Sequence, residues 1–277
     1  MLNQYHIPDE QMDELFIEVL DKYGYDFTGY AQASLKRRLL RIFTLDKHLS
    51  FAELKYKVLN DPIYFKRFVE QITVNVTEMF RDPSFYRKLR ELILPDLSAH
   101  PFIKVWLAGC ATGEEAYSLA IVFNELNLLH KSLLYATDIN PLVLEKAAQA
   151  TFPLSQMKQY SENYIASGET KDFSSYYIAN NALAKFSSQL REKIIFSTHN
   201  LVSDHSFNEF QLVLCRNVLI YFDRCLQFKV FQLFDNSLED GGYLALGTKE
   251  TIDFSPIAPR YSRLQREKIW KKTNERM

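Results

Sequence analysis

The stretch 103–122 constrains the fold more than any other part of the chain, and it reads IKVWLAGCATGEEAYSLAIV. Its apolar residues first alternate and then, from Glu114 onward, recur at helical spacing, so it predicts a short strand, a tight loop and a helix. The glycines of that loop, Gly109 and Gly113, let the backbone come close to a ligand, and the first amides of the helix point N–H groups towards it. The stretch therefore predicts a site for a nucleotide-like ligand.

The spacing of the two glycines narrows the class of ligand. It is Gly-x-x-x-Gly, whereas dinucleotide-binding loops have Gly-x-Gly-x-x-Gly. Glu114 and Glu115 also stand at the helix N-terminus, where they would repel a pyrophosphate. These features point away from NAD and towards a cationic or hydroxyl-rich ligand. Taken alone, the loop has an alternative interpretation as an ordinary strand-to-helix turn.

Composition sets the broad class of protein. The chain has 277 residues, of which 47% are hydrophobic, which is enough for one large or two moderate globular domains. The formal net charge is -1, so no global basic field attracts nucleic acid, and we expect no nucleic-acid partner. The N-terminus is acidic, and no apolar run is long enough for a signal peptide or a membrane span. We therefore expect no membrane insertion.

The cysteines and histidines argue against a metal centre. The chain has three cysteines, Cys110, Cys215 and Cys225, which cannot all pair and do not have the spacing of metal ligands. The six histidines are scattered, without the i, i+4 pairs that a helical zinc site uses. The sequence thus predicts no metal and a reducing, cytoplasmic location.

From Asp9 to about Ile72 the sequence has a helical pattern that no strand signal interrupts. Breaks near Gly24, Ser50 and Pro62 divide the pattern into about four helices, so we predict a small helical bundle. The second helix contains SLKRRLLRI, which predicts an apolar face of leucine and isoleucine. Opposite that face it predicts a basic one, made of Arg37, Arg38 and Arg41. The basic face is interpreted either as a solvated surface or as a docking patch for an acidic partner.

The pattern changes at Asp82 and Pro83, which predict an N-cap and the first residue of a helix that ends near residue 94. Beyond it, strands are predicted at 103–107, 133–137, 210–215 and 242–246, and helices at 114–127, 141–150 and 223–238. This alternation predicts a mostly parallel sheet covered by helices on both faces. Two hairpins depart from it, one inserted within 161–201 with its turn at Asn180 and Asn181, and one antiparallel at 261–272.

Polar residues follow the ends of three predicted strands, which is where ligands bind in open parallel sheets. The glycine loop follows the first strand. Asp138 ends the second, at the place where a carboxylate accepts hydrogen bonds from both hydroxyls of a ribose. Arg216, Asn217 and Tyr221 follow the strand 210–215. Each residue could singly be a helix cap, a turn residue or a core aromatic, but together they favour an adenosine pocket.

Six motifs in order resemble those of the chemotaxis methyltransferases of the CheR family. They are SLKRRL at 34–39, TVNVTEMFRD at 73–82, VWLAGCATGEEAYSLA at 105–120, ATDIN at 136–140, THNL at 198–201 and CRNVLIYFD at 215–223. The resemblance implies an α/β fold of the S-adenosylmethionine-dependent methyltransferase type, Rossmann-like, with a mostly parallel seven-stranded sheet. It further implies an N-terminal helical domain at 1–75 and a methyltransferase domain at 76–277, with a small inserted β-subdomain at about 161–197.

The resemblance also implies roles for individual residues. The cofactor S-adenosylmethionine would be bound by Asn75, Thr77, Arg81, Gly109, Glu114, Glu115, Asp138, Asn200, Arg216 and Asn217. Among these, Asp138 would bind the ribose, and Asn200 and Asn217 would flank the adenine. Glu115 is favoured over Glu114 as the contact from the glycine loop, without a firm distinction between them. The catalytic residues, nearest the reacting methyl, would be Arg81 and Tyr221.

The implied function is transfer of a methyl group to glutamate side chains of chemoreceptors. The products would be glutamate 5-O-methyl esters and S-adenosylhomocysteine. The partners would be the cytoplasmic methylation helices of the receptors, which are rich in glutamate and glutamine and would dock on the basic face. We expect the protein to be a monomer. The inserted hairpin has no glycine-rich extension, which leaves binding of a receptor tail peptide in doubt.

Three other functions are weighed against this one. A nucleic-acid methyltransferase is disfavoured, because the chain lacks both the Asp/Asn-Pro-Pro-aromatic motif and a Pro-Cys nucleophile. A regulatory module that binds the cofactor or another nucleotide without turnover stays open, although the motif residues it retains argue against it. A small-molecule carboxyl methyltransferase stays open as well.

Overall fold

The structure is a computed structural model that describes residues 7–169, 171–264 and 268–273. Between residues 7 and 73 it is a helical bundle, as predicted, with helices α1 (Asp9–Tyr23), α2 (Gln32–Leu45), α3 (Phe51–Asn60) and α4 (Pro62–Ile72). Gly24 ends α1 in the left-handed conformation, and the side chain of Ser50 accepts the N–H of Glu53 at the start of α3. The bundle has its own core, which includes Phe16 and Phe68.

One prediction about α2 is wrong. Arg37 and Arg41 are exposed, but Arg38 is buried, with only 8% of its surface accessible. Successive residues of a helix are about 100° apart, so Arg38, three after Leu35 and four before Ile42, belongs to their face. The basic surface of α2 is therefore made of Arg37 and Arg41.

A linker at 73–82 leads to the second part of the chain. It is followed by α5 (Pro83–Lys88), a π-helical turn (Leu89–Ile93) and α6 (Leu94–Leu97). The remaining helices are α7 (Glu114–Glu125), α8 (Pro141–Ala148), α9 (Met157–Ala166), α10 (Ser188–Arg191) and α11 (Arg224–Ser237). The strands are β1 (Ile103–Ala108), β2 (Ser132–Asp138), β3 (Thr151–Pro153), β4 (Tyr177–Asn180), β5 (Leu183–Phe186), β6 (Ile194–Thr198), β7 (Phe210–Cys215), β8 (Leu238–Leu246), β9 (Tyr261–Arg263) and β10 (Ile269–Lys272). The predicted alternation of strands and helices from residue 103 to residue 246 is confirmed.

Within the described ranges, seven strands form one large sheet in the order β6-β2-β1-β7-β8-β10-β9. The pairs from β6 to β8 are parallel, and β10 pairs antiparallel with β8 and β9. The chain runs from β1 outward to β2 and β6 on one side and then returns to β7 and β8 on the other. The strand order thus reverses between β1 and β7, and ligands of open parallel sheets bind at such a switch point.

Two features of the sheets were not predicted. Strand β6 lies in the stretch that was assigned to the insertion, and most of its side chains are at least partly exposed, so it has no buried strand pattern. The small sheet has the order β3-β5-β4, and its strand β3 precedes the predicted insertion. The predicted hairpin of that sheet is present, but Asn180 pairs with Leu183, so its turn is formed by Asn181 and Ala182. No helix of the described residues is long and apolar enough to cross a bilayer.

Candidate functional site

A cavity lies at the carboxyl ends of β1, β2 and β7, where the strand order reverses. It encloses about 930 Å³ of space, open solvent at its mouth included. The linker at 73–82 forms one wall of the cavity, and Tyr30 and Arg38 of the helical bundle contribute to another.

Most of the predicted site residues come together around this cavity. Those that line it are Asn75, Thr77, Arg81, Gly109, Glu115, Asp138, Asn200, Arg216, Asn217 and Tyr221. Glu114, by contrast, does not line it. The sequence does not predict that two residues of the bundle, Tyr30 and Arg38, line the cavity. Neither residue is at the end of a strand or in the glycine loop.

The two glutamates of the loop differ in position. Glu115 faces the cavity, whereas the side chain of Glu114 is buried beside the loop and accepts a hydrogen bond from the Thr112 hydroxyl at 2.6 Å. Burial raises the pKa of Glu114 to about 7, although the bond from Thr112 opposes the shift. A ligand in the cavity therefore meets Glu115.

The glycine loop is held by packing as well as by hydrogen bonds. Gly109 has φ of 77°, and a Cβ at that residue would lie 2.4 Å from Cγ2 of Val218. The N–H groups of Gly109 and Cys110 both donate to the carbonyl of Thr137. The absence of a side chain at Gly109 thus lets the loop pack under the residues that follow β7.

Asp138 is fixed at the end of β2 by backbone donors. Its Oδ2 accepts the N–H of Ala111 and its Oδ1 accepts the N–H of Asn140, both at 3.0 Å. Burial raises the pKa of the carboxyl, and these N–H groups oppose the shift. Each carboxylate oxygen can accept a further hydrogen bond, so the residue can receive a pair of hydroxyls from the cavity side.

Arg216 is buried between two carboxylates. Its guanidinium donates to Glu115 and, at 2.8 Å, to Asp82, and it lies 4.1 Å from the centroid of the Phe85 ring. Asp82 was predicted to cap the following helix. It occupies the N-cap position as predicted, but its backbone is left-handed and its side chain makes no capping bond. The Asp82 side chain forms an ion pair with the buried Arg216 instead of capping the helix.

Arg81 differs from Arg216 in having no acidic partner. Its closest hydrogen-bond acceptor is the carbonyl of Val76, 3.5 Å from Nη1, and no carboxylate among the described residues forms an ion pair with it. The side chain is only partly buried. The cavity therefore contains a guanidinium that is available to an anionic ligand.

The loop after β7 is anchored by a residue that the sequence missed, Glu250. One of its carboxylate oxygens accepts the N–H groups of Asn217 and Gly247, and the other accepts those of Val218 and Ile220. Asn217 itself is left-handed, with φ of 62°. No sequence pattern reveals this role of a single acidic residue after β8, since three of its four partners are thirty or more positions away in the chain.

His199 and Asn200 follow the end of β6 and line the cavity. The side-chain oxygen of Asn200 accepts the N–H of Val202 at 3.0 Å, which shapes the turn there. The His199 ring packs edge-on against Trp106, and its Nε2 lies 3.2 Å from the carbonyl of His205. The histidine is thus part of an aromatic cluster, and its neighbour Asn200 presents the polar edge of this wall.

Comparisons with known proteins agree with the geometry. Residues 75–266 match the family described as "CheR methyltransferase, SAM binding domain", and residues 10–73 match "CheR methyltransferase, all-alpha domain". A Pseudomonas putida protein that carries the name Cher3 is 44% identical over 253 residues, which cover 91% of this chain and 93% of that protein. A chemotaxis protein methyltransferase of Listeria monocytogenes is 32% identical, over 89% of this chain and 92% of its own. Chemotaxis protein methyltransferase 2 of Pseudomonas aeruginosa is 31% identical, over 80% and 78%.

Proposed function

The chain belongs to the CheR methyltransferase family, and on that premise we propose that it methylates glutamate side chains of chemoreceptors. It is an S-adenosylmethionine-dependent methyltransferase. The products would be glutamate 5-O-methyl esters and S-adenosylhomocysteine, and the reaction would take place in the cytoplasm. Relatives that are named chemotaxis protein methyltransferases support the choice of substrate. The proposal includes a division of the chain after residue 75. It places the inserted subdomain at about 151–186, the span of β3 to β5, in place of the predicted 161–197, because β6 belongs to the large sheet.

The residues around the cavity fit the cofactor. When bound, S-adenosylmethionine supplies an electrophilic methyl group on a sulfonium sulfur. Asp138, held by backbone donors on one side, would accept hydrogen bonds from the ribose hydroxyls. Asn200 and Asn217 would flank the adenine. The remaining contacts would come from the linker, the start of α7 with its glycine loop, and the loop after β7, through Asn75, Thr77, Arg81, Gly109, Glu115 and Arg216.

The observation that carries the proposal is that Arg81 lines the same cavity as Asp138 and Tyr221 and has no acidic partner within the described ranges. A methyl transfer to glutamate brings two carboxylates into the site, one from the cofactor and one from the substrate, and a free guanidinium suits either of them. If Arg81 gripped the substrate carboxylate tightly, it would stabilise the ground state more than the transition state. Its better role is to hold the carboxylate of the cofactor or to orient the attacking oxygen.

The substrate needs no activation by a base. A glutamate carboxylate has an ordinary pKa of about 4.3 and is already ionised, and therefore nucleophilic, at neutral pH. Tyr221, half-buried in the cavity wall, would donate a hydrogen bond to this carboxylate and direct one oxygen at the methyl group. Exclusion of water also helps, since a negative oxygen and a positive sulfur both lose charge as the bond forms. Tyr30 and Phe222 contribute to the walls that exclude it.

The exposed arginines of α2 would dock the receptor. Arg37 and Arg41 lie on the same helix as Arg38, which lines the cavity, so the basic surface is beside the site. Receptor methylation helices rich in glutamate would be attracted by this surface, and the attraction would weaken with salt. The partners proposed are therefore the cytoplasmic methylation helices of chemoreceptors, bound by a monomer.

A turnover assay distinguishes the proposed function from two alternatives. The protein is incubated with S-adenosylmethionine and either a receptor cytoplasmic fragment or free small carboxylic acids. We expect methyl esters on the receptor fragment, with a lower rate for Tyr221→Phe. Esters on small acids alone would favour a small-molecule carboxyl methyltransferase. Calorimetric binding of the cofactor without any turnover would favour a regulatory module, and full turnover by Tyr221→Phe would remove that residue from the mechanism.

A further inference from the structure

The second arginine in the cavity wall, Arg38, comes from the helical bundle and not from the methyltransferase domain. Its Nη1 donates to the carbonyl of Ile72 at 2.6 Å and its Nη2 to the hydroxyl of Ser34 at 3.0 Å. Its Cζ lies 4.9 Å from the centroid of the Tyr221 ring, which is within the range of a cation–π contact. The guanidinium therefore joins the end of α4 to the ring of Tyr221.

The charge of Arg38 is not balanced by an acid. No carboxylate in the described part of the chain forms an ion pair with it, although the residue is only 8% exposed. A buried cation without a counter-ion lowers the stability of the fold, so we expect this arginine to have a function that offsets the loss. The guanidinium of Arg38 contacts three groups here, namely a carbonyl, a hydroxyl and the face of an aromatic ring. Of these, only the ring belongs to a residue that the mechanism uses.

The backbone around Tyr221 is held by the bundle as well. The N–H of Ala31 donates to the carbonyl of Tyr221 at 2.8 Å, and the N–H of Asp223 donates to the carbonyl of Gly29 at 2.8 Å. Between these bonds, the rings of Tyr30 and Phe222 pack edge to face with centroids 4.8 Å apart. The main chain of Tyr221 is thus fixed by residues 29–31, and its side chain by α2.

We infer that Arg38 is a positioning residue for Tyr221, and that the helical bundle thereby completes the active site. The planar guanidinium restrains the ring by its contact with the ring face, while the bond to Ile72 fixes the guanidinium itself. This inference rests on the proposed function only in the use that it gives to Tyr221. The inference assigns different roles to two arginines that are adjacent in sequence. Arg37 would contribute to receptor docking, and Arg38 would contribute to the rate of methyl transfer.

The kinetic test compares Arg38→Met with the matched control Arg37→Met. Since a small misplacement of a reacting group can cost about a hundredfold, we expect Arg38→Met to lower kcat by about ten- to a hundredfold, with the KM for receptor fragment within about twofold. Arg37→Met should raise KM for the receptor fragment without the fall in kcat, and Arg67→Met, at an exposed arginine of α4 outside the site, should change neither kcat nor KM. In a Tyr221→Phe background, Arg38→Met should cost much less than it does alone. An equal loss in both backgrounds, or a rise in KM in place of a fall in kcat, would overturn the inference.

A second test does not need turnover. In protein labelled with ¹³C in its tyrosine rings, the NMR signal of Tyr221 is identified by its loss in Tyr221→Phe. Arg38→Met should shift that signal, and Arg37→Met should leave it in place; an unmoved Tyr221 signal in folded Arg38→Met contradicts the inference even if no receptor is ever methylated. If Arg38→Met does not fold, Arg38→Lys replaces it. Lysine keeps the charge and a donor for Ile72 but has no flat surface to stack, so the signal should still shift, and an unmoved signal overturns the inference.

Discussion

At the scale of the residue, the protonation of Glu114 makes the stability of the fold depend on pH. The folded protein binds its proton more tightly than the unfolded chain does, because burial raises the pKa from an ordinary 4.5 to about 7. Between these values the folded state holds a proton that the unfolded state has lost, so stability falls as the pH rises through this window and stays lower above it. Glu114 therefore opposes folding in alkaline solution.

We expect Glu114→Gln to stabilise the protein at pH 8 and to have little effect at pH 4.5 or below. The gain at pH 8 should be on the order of 2 to 3 kcal/mol, since glutamine has no charge to bury and its amide oxygen can still accept from Thr112. Urea unfolding at the two pH values measures it. Glu10→Gln, on the exposed side of α1, is the control and should show no such dependence. Equal effects of Glu114→Gln at both pH values would refute the assignment.

Glu250 shows how a residue outside the cavity can govern the site. Its two carboxylate oxygens each accept two backbone N–H groups, from the loop after β7 and from Gly247. Glu250→Gln places an amide NH₂ against two of those donors, so the loop that carries Asn217 should loosen. We expect the Kd for S-adenosylhomocysteine, measured by calorimetry, to rise about tenfold. Asp253→Asn, at a surface ion pair with Arg263, should leave it unchanged, and an unchanged Kd in Glu250→Gln would show that the anchor is unnecessary.

At the scale of the element, the glycine loop depends on two separate properties of Gly109. The residue is left-handed, and the space beside its Cα is filled by Val218. Gly24 shares the first property but not the second, since a Cβ there would meet nothing within 4 Å. The two glycines therefore let backbone strain and steric conflict be measured apart.

Gly24→Ala should cost about 1 kcal/mol of unfolding free energy, and Gly109→Ala should cost about 2 to 4 kcal/mol, because strain and overpacking add. Denaturant unfolding measures both variants. Val218→Ala introduced together with Gly109→Ala should recover part of the loss. If Gly24→Ala and Gly109→Ala proved equally destabilising, the contact with Val218 would have no energetic weight.

The elements show where sequence reasoning succeeds. The alternation of strands and helices after residue 103 was predictable because buried parallel strands read as short apolar runs. Strand β6 was not, because its apolar run is only three residues long, Ile194 to Phe196, and is too short to mark a buried strand. The burial of Arg38 is consistent with its helical position beside Leu35 and Ile42, although a charged side chain is usually exposed. Asp82 pairs with Arg216, and Glu250 binds Asn217 and Val218, more than thirty positions away in each case, and no local pattern records such contacts.

At the scale of the whole molecule, the site is built by two parts of the chain. The cavity residues after strands follow from the general rule for open parallel sheets, so the sequence could place them together. The contribution of the bundle could not be foreseen in this way, since Tyr30 and Arg38 reach the cavity only through the packing of residues 29–31 against residues 221–223. The bundle is therefore both a wall of the site and the carrier of the basic surface.

The basic surface of α2 leads to a prediction about the protein and its receptor together. Reversing the charge of Arg37 and Arg41 to glutamate should raise the KM for receptor by about ten- to a hundredfold at low salt, because like charges would then meet across the contact. The difference from the natural protein should shrink as salt is added. Cofactor affinity should not change. Lys158→Glu, on the exposed side of α9, is the control, and a KM unaffected by the double reversal would refute the docking surface.

The most direct measurement is transfer of radiolabelled methyl from S-adenosylmethionine to membranes that contain the chemoreceptors of the host, followed by alkaline release of the label. A glutamate methyl ester is hydrolysed by base to methanol, whereas a methyl group on nitrogen is not. The account predicts base-labile label on the receptor band and its loss with Arg81→Ala. Base-stable label, or no label from protein that binds the cofactor in calorimetry, would contradict glutamate methylation of these receptors.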